Sequence, residues 1–372
     1  MSDLYAQPGW FESLRVTLRT LLPYQLRRGL VRLQRALARP IRNAETVTDE
    51  QRVFAPPGDF YRALTLRPQL PVAQAAAILA RSINEPEWEL TAAAAAQPTA
   101  QLAAQLAASI IIVSYNNLAL TKLCLASVLR HTAEHAYEVI VVDNASTDAT
   151  PEFLRQLAAR NASVRVLLQS ENLGFARANN LALAQARGAV LILLNNDAIV
   201  TPGWLPRLCW HLRDEAVGLV GPVTNHIGNE AQIRVPYQTW TELEEFTAQL
   251  ALQHDRQAAG IPMLAMYCVA MRRAVYEQIG GLDEQYATGM FEDDDYALRV
   301  RQHGLRLLCA ADAFVHHFGQ AAFGKLVRSG AYDRLFDENR RRFETKWQTR
   351  WQPHQQRPLP FAVHTWPGCE DA

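Results

Sequence analysis

The feature that most constrains the fold is an alternation that begins at Ser109. Short apolar runs come between segments of helical periodicity, and each run ends in polar residues. Ile110-Ile111-Ile112-Val113 precedes a helical stretch over Leu118–Arg130, and Val139-Ile140-Val141-Val142 precedes one over Pro151–Ala159. Val164–Leu168 precedes one over Phe175–Ala186, and Val190–Leu194 is a fourth run. Apolar runs this short and continuous read as strands buried on both faces, as in parallel sheets covered by their crossover helices. The pattern predicts an α/β fold with a right-handed, mostly parallel central sheet. In such sheets ligands bind beyond the carboxyl ends of the strands. The rim of interest is therefore defined before any residue on it is interpreted.

Four ends on that rim are polar: Ser114-Tyr115-Asn116-Asn117, Asp143-Asn144-Ala145-Ser146-Thr147-Asp148, Asn172-Leu173-Gly174-Phe175 and Asn195-Asn196-Asp197. Residues of these types also turn the chain and cap helices. Thr150-Pro151 has the form of a cap followed by proline at the first helical position. Four clusters on one rim nevertheless point to a ligand, and their chemistry fits a nucleoside diphosphate. Tyr115 can lie against a base, and Asp143 can accept the imide N–H of uracil or thymine. Asp197 is a hard oxygen donor suited to Mg²⁺ or Mn²⁺ shared with phosphate oxygens. Neither G-x-x-x-x-G-K-[ST] nor a G-x-G-x-x-G after the first strand is present. Phosphate must be held another way, and a metal is the obvious candidate.

A second set of chemical groups lies further along. Gly289-Met290-Phe291-Glu292-Asp293-Asp294-Asp295 leads into a helical stretch over Asp294–His303. Acids favour a helix N-terminus, but four in succession repel one another unless one is protonated or paired. A carboxylate here is a good general base toward a sugar hydroxyl. Beyond a strand at Leu305–Cys309, Phe314-Val315-His316-His317 places two histidines at another strand end. Neighbours on a strand point to opposite faces, so at most one of them reaches a metal.

Bulk properties narrow the class. Lys+Arg and Asp+Glu both number 37, which argues against a nucleic-acid binder. Cys124, Cys209, Cys268, Cys309 and Cys369 are odd in number and widely spaced. A disulfide framework or zinc site is not expected, and a reducing compartment fits. No apolar run approaches the ~20 residues that span a bilayer, and the start lacks a signal pattern, so a cytoplasmic protein is expected. Charge is uneven, however. Segment 11–42 sets Arg15, Arg19, Arg27, Arg28, Arg32, Arg35, Arg39 and Arg42 against Glu12. It reads either as an Arg-rich helix pair covering the core or as an interfacial pair attracted to anionic lipid at the inner face of the membrane. Segment 225–260 reads as the least regular part of the core, in the style of a lid or acceptor-binding loop. Tyr332, Phe336, Phe343, Trp347 and Trp351 mark a helix over 331–351 that packs back on the core.

In order and spacing, these motifs over residues 109–320 resemble the family 2 glycosyltransferases of the GT-A fold, in the branch of bacterial surface-polysaccharide and rhamnosyltransferase-like enzymes. With the residue patterns outside it, the resemblance divides the chain into a helical and irregular basic extension at 1–107, a GT-A domain at 108–325 and a helical tail at 326–372 that packs on the core. It implies a nucleotide-sugar donor, UDP- or dTDP-linked, held by Ser114, Tyr115, Asn116, Asp143, Asn144, Ser146, Gly174, Phe175, Asn179, Asn195 and Asn196. Asp197 would be the metal-binding acid of the family's D-x-D motif, whose first acid is here Asn195. The late metal ligand would be His316 in preference to His317, with Mn²⁺ or Mg²⁺ as the ion. Asp293, second residue of the family's E-D-x-D motif, would be the general base of a single inverting displacement. Phe291 and Glu292 would lie on the acceptor side, toward a glycan or lipid-linked hydroxyl in surface-polysaccharide synthesis. Two other classes share parts of this pattern. A nucleotidyltransferase would want a Gly- and Lys-rich first loop, which Ser114-Tyr115-Asn116-Asn117 is not. A catalytically inactive sugar-nucleotide-binding scaffold would have no need of both Asp197 and Asp293.

Overall fold

The computed structural model describes residues 107–132, 135–237, 240–286, 289–319 and 331–354. The chain divides into two units, Met1–Val53 and Phe54–Ala372, and every described residue lies in the second. The Arg-rich segment 11–42 is outside the described residues, as are the proline-rich and alanine-rich stretches that follow it.

The alternation is present as expected. It runs β1 (Ala108–Ser114), α1 (Leu118–Thr132), β2 (Tyr137–Asp143), α2 (Thr150–Arg160), β3 (Val164–Leu168), α3 (Gly174–Leu183) and β4 (Val190–Asn195). Next come β5 (Ala198–Val200), α4 (Trp204–His211), β6 (Val217–Val223), α5 (Trp240–Gln253), β7 (Ala258–Gly260), β8 (Cys268–Arg272) and α6 (Arg273–Ile279). The remaining elements are α7 (Glu292–Gln302), β9 (Arg306–His317) and α8 (Ala331–Trp347). The strands form one mixed sheet in the order β3-β2-β1-β4-β8-β6-β9-β5, with β7 also on β9. Pairings from β3 to β4 are all parallel. β8 enters antiparallel to both β4 and β6, and β6 and β9 are again parallel.

Alternate residues of the apolar runs serve opposite faces of the sheet. Ile111, Ile140, Val142, Leu191 and Leu193 join one core cluster, and Ile110, Ile112, Val139, Val141, Ile192 and Leu194 join the other. Each fully buried aliphatic side chain contributes about 1.5–3 kcal/mol. This two-sided burial fixes register, because a one-residue slip would exchange the two sets. The parallel register aligns Ser114 with Asp143 and Val113 with Asn195, so three polar strand ends share one edge.

Three local expectations are corrected. Segment 225–260 is not a long irregular loop, since it contains α5, whose Trp240, Leu243, Phe246 and Leu250 are buried in the core. Thr150 lies inside α2, and the Asp148 carboxylate accepts its N–H at 2.9 Å. β9 continues through His317, because β5 pairs antiparallel with its last residues. Among the described residues, no helix is long and apolar enough to cross a membrane.

Candidate active site

Most polar side chains on the β1–β4 rim bond one another. The chain leaves β1 through Asn116 and Asn117, both left-handed at φ 55° and 59°, a conformation that asparagine tolerates better than most residues. The Asn116 carboxamide oxygen accepts the N–H groups of Thr147 at 2.8 Å and Asp148 at 3.3 Å. Its own N–H donates to Ser146 Oγ at 2.7 Å. Asn144 does the same one loop further on: Oδ1 accepts Leu173 N–H at 2.8 Å, and Nδ2 donates to Asn172 Oδ1 at 2.8 Å. Gly174 supplies the positive φ of 77° that this turn requires. Ser114 and Asn196 meet at Thr121 Oγ1, at 2.9 and 3.0 Å. Asn179 donates back to Phe175 O within α3, Phe175 packs against the core, and Asn195 is held by its backbone to Tyr267. These expected ligand residues are thus brought together, largely as a clamp on the loops.

Two groups on the rim remain available to a ligand. Tyr115 is 44% exposed, an unusual position for a large aromatic on a strand end. Asp143 is buried; its Oδ2 accepts Ser146 N–H at 3.0 Å, and its Oδ1 has no partner. A buried carboxylate oxygen left without a donor costs on the order of 1–3 kcal/mol. A ligand N–H would remove that cost.

The Asp197 corner is built by β5 against β9. Ala198 pairs with His317, and Asp197 O accepts Phe318 N–H at 3.0 Å. This register sets His317 Nε2 3.3 Å from Asp197 Oδ1. His317 Nδ1 lies 2.9 Å from the carbonyl of His226, so Nδ1 carries the proton that this carbonyl accepts and Nε2 is the nitrogen turned to Asp197. Burial opposes charge on His317, but the Asp197 carboxylate and the His226 carbonyl outweigh it and raise its pKa. His316 faces the other way, as adjacent strand residues do. It is fully buried, its Nδ1 lies 2.6 Å from Tyr237 Oη, and its Nε2 has no partner. Burial, with the neighbouring His317, lowers its pKa to about 3. Of the two histidines, His317 makes the carboxylate contact and His316 bonds Tyr237. Among the described residues no cluster of three or more His, Cys, Asp or Glu is arranged to hold a metal. Asp197 and His317 place one oxygen and one nitrogen donor side by side, donor types that divalent cations accept.

The acid run begins on a strained turn. Met290 and Phe291 are both left-handed, at φ 77° and 74°, and such residues persist only where their surroundings hold them. Asn339 of α8 does so, donating to Gly289 O at 2.8 Å and Met290 O at 3.2 Å. Phe291 is only 3% exposed and packs on Phe336, Phe343 and Trp351, so it anchors the turn. The four acids have four different environments. Asp295 is fully buried between Arg299, at 2.9 Å, Trp347 Nε1, at 2.9 Å, and Lys346. Asp294 lies 2.7 Å from His354 Nε2. Glu292 is buried with Oε2 unpartnered, and burial together with Asp293 raises its pKa well above the ordinary range. Asp293 is half-buried, and desolvation and Asp294 push it up to about 7. That value suits a group that exchanges protons near neutrality.

Sequence reading did not find Thr121, His226, Tyr237, Asn339 or His354. Each acts through a partner distant in the chain, and none stands in a motif.

Comparison with known proteins matches the first part of this region. Residues 109–280 match the family model described as glycosyl transferase family 2. The match ends before the acid turn and before His316-His317. An uncharacterized protein, y4gI, of Sinorhizobium fredii is 26% identical over 258 residues, covering 64% of this chain and 27% of that one. O-antigen biosynthesis protein RfbC of Myxococcus xanthus is 29% identical over 202 residues, covering 51% and 16%. Glycosyltransferase AglE of Haloferax volcanii is 28% identical over 222 residues, covering 59% and 69%. The chain thus spans only a minor part of the first two proteins and about two thirds of the third.

Proposed function

Residues 109–280 are a family 2 glycosyltransferase domain, and from that premise we propose that the chain transfers a sugar from a UDP- or dTDP-sugar to a hydroxyl of a glycan or lipid-linked acceptor in surface-polysaccharide synthesis. The observation that carries the donor half is the unpartnered Oδ1 of buried Asp143 beside exposed Tyr115. A uracil or thymine ring stacked on Tyr115 would offer its imide N–H to that oxygen. Asp197 and His317 are the residues that would hold Mn²⁺ or Mg²⁺. A bound ion would neutralise charge on the diphosphate leaving group.

Asp293 is the base in this reading. It takes the acceptor proton as the hydroxyl oxygen attacks the anomeric carbon opposite the diphosphate, and the product is inverted. Its elevated pKa of about 7 makes it a competent acceptor of that proton while leaving much of it ionised at neutral pH. The clamped loops hold the donor in line, and such positioning lowers the barrier without new chemistry. The Arg-rich segment 11–42 would suit a lipid-linked acceptor by drawing the enzyme to anionic lipid. Liposome sedimentation with and without residues 1–45 tests that part, and salt-insensitive or absent binding would refute it.

The donor reading is tested by thermal shift across UDP-, dTDP-, GDP- and CMP-sugars with and without Mn²⁺. Stabilisation by uridine or thymidine nucleotides, lost in Asp143→Asn, is expected. Equal stabilisation by GDP-sugars would reject the role given to Asp143.

A further inference from the structure

The segment after α8 reaches the acid turn from a part of the chain outside the family match. Trp351 packs edge-on against Phe291, with ring centroids 5.3 Å apart, and against Phe336 at 5.5 Å. Its backbone N–H donates to Glu344 Oε1 at 3.1 Å. These contacts deliver His354 to the first turn of α7, where Nε2 lies 2.7 Å from Asp294 Oδ1 with the two side chains 19% and 13% exposed. Asp295 has Arg299 and Lys346, but among the described residues the only cationic side chain against Asp294 is that of His354.

We propose that His354 is a positioning residue for the reaction: its imidazolium neutralises Asp294 and docks the C-terminal segment on the turn, so that Asp293 meets the acceptor beside a compensated neighbour. The inference rests on the reading of Asp293 as the base. Its physical reason is simple. Adjacent carboxylates on one turn cannot all ionise without a counter-charge, and which of them keeps a proton depends on where that charge sits.

The groups involved come from three elements. Asp294 and Asp293 face His354 from α7, and buried Glu230, with its Oε2 unpartnered, acts on it from the segment after β6. Burial opposes charge on His354, but Asp294, Asp293 and Glu230 outweigh it and raise its pKa. Asp293 is faced by Glu292 and Asp294 on its own helix and by His354 from the C-terminal segment. Burial and Asp294 raise its pKa, and His354 acts in the opposite sense. Removing the imidazolium therefore moves Asp293 toward the protonated, inactive form.

The test uses the full chain and no sugar nucleotide. With ring-labelled histidine, proton–carbon NMR follows each imidazole against pH, and His354→Gln identifies the resonance. His354 is expected to titrate above the ordinary 6.5 and to fall by about one pH unit in the near-isosteric Asp294→Asn. Carbodiimide and glycinamide labelling, read by peptide mass spectrometry, follows protonated Asp293 in parallel. Its midpoint should lie near 7 in the wild type and rise in His354→Gln. A wild-type His354 midpoint at or below 6.5, no response to Asp294→Asn, or an unmoved Asp293 midpoint overturns the proposal. Failure of the base reading looks different: both titrations behave as expected while Asp293→Asn retains transfer.

Discussion

The two halves of the site are built on opposite plans. On the β1–β4 rim, Asn116, Asn144, Ser146 and Thr121 connect loops that follow neighbouring strands. Most polar groups there satisfy each other, while Asp143 Oδ1 is left as a buried acceptor without a donor. On the acid turn, the local pair of Asp295 with Arg299 is joined by contacts from far along the chain. Met290 and Phe291 need Asn339, Asp295 needs Lys346 and Trp347, and Asp294 has His354, all from the C-terminal part of the chain. The first half is a preorganised network whose charges are few, as the proposed binding role requires. The second is a cluster of like charges held by Arg299 and by counter-groups distant in the chain, in which Glu292 and Asp293 have pKa values displaced upward. Binding requires fixed donors and acceptors, whereas proton transfer requires a group poised between two states.

Substitutions should break this contrast selectively. The largest effect is expected for Asp293→Asn: transfer should fall by about 10²–10⁴-fold, seen in kcat with the donor that the thermal-shift screen selects. Asp197→Asn should lower kcat/KM by about 10²–10³-fold and abolish the response of donor binding to Mn²⁺. His317→Gln should be milder, about 10–100-fold, and His316→Gln should act on stability instead, through the lost contact to Tyr237. If His316→Gln proves the more damaging to Mn²⁺-dependent binding, the assignment of the two histidines is wrong.

The pH dependence sharpens the contrast from another side. As the proposed base, Asp293 would have to be ionised to act, so kcat/KM should rise with pH through about 7, while UDP affinity stays flat over the same range. The sign for stability is opposite. A folded-state pKa raised from 3.8 to about 7 means that the folded chain binds the extra proton more tightly. That contribution is complete below the unfolded value and is lost as pH rises through the folded one. Denaturant midpoints should therefore drop between these pH values, and Asp293→Asn should flatten the curve. The smallest effect is expected for Asn339→Ala, which uncovers two carbonyls of the strained turn and should cost about 1–3 kcal/mol. It should lower kcat without changing donor affinity.

How much of this was legible in the sequence follows the same division. β1 to β4 and the helices between them follow from the apolar runs and their polar ends, because the physics that builds them is local and periodic. Asp143 and Asp197 stand out for the same reason: each closes a strand. The different surroundings of His316 and His317 were not legible, since they depend on where β9 stops, and that is decided by pairing of Ala198 with His317 across the sheet. Segment 225–260 carried a helix that proline, asparagine and glycine in its first part obscured. The role of Phe291 could not be read either. Its aromatic partners Phe336, Phe343 and Trp351 lie 45–60 residues away, and no motif announces them.

The most direct test of the two-plan site is a calorimetric titration of UDP and dTDP, with and without Mn²⁺, into the wild type, Asp143→Asn and Asp293→Asn. Nucleotide binding should weaken by about tenfold or more in Asp143→Asn, as expected for a lost hydrogen bond to a charged group, and stay within about twofold of wild type in Asp293→Asn. Equal loss in both variants, or no binding of either nucleotide to the wild type, would contradict the division of binding and proton transfer between the two halves.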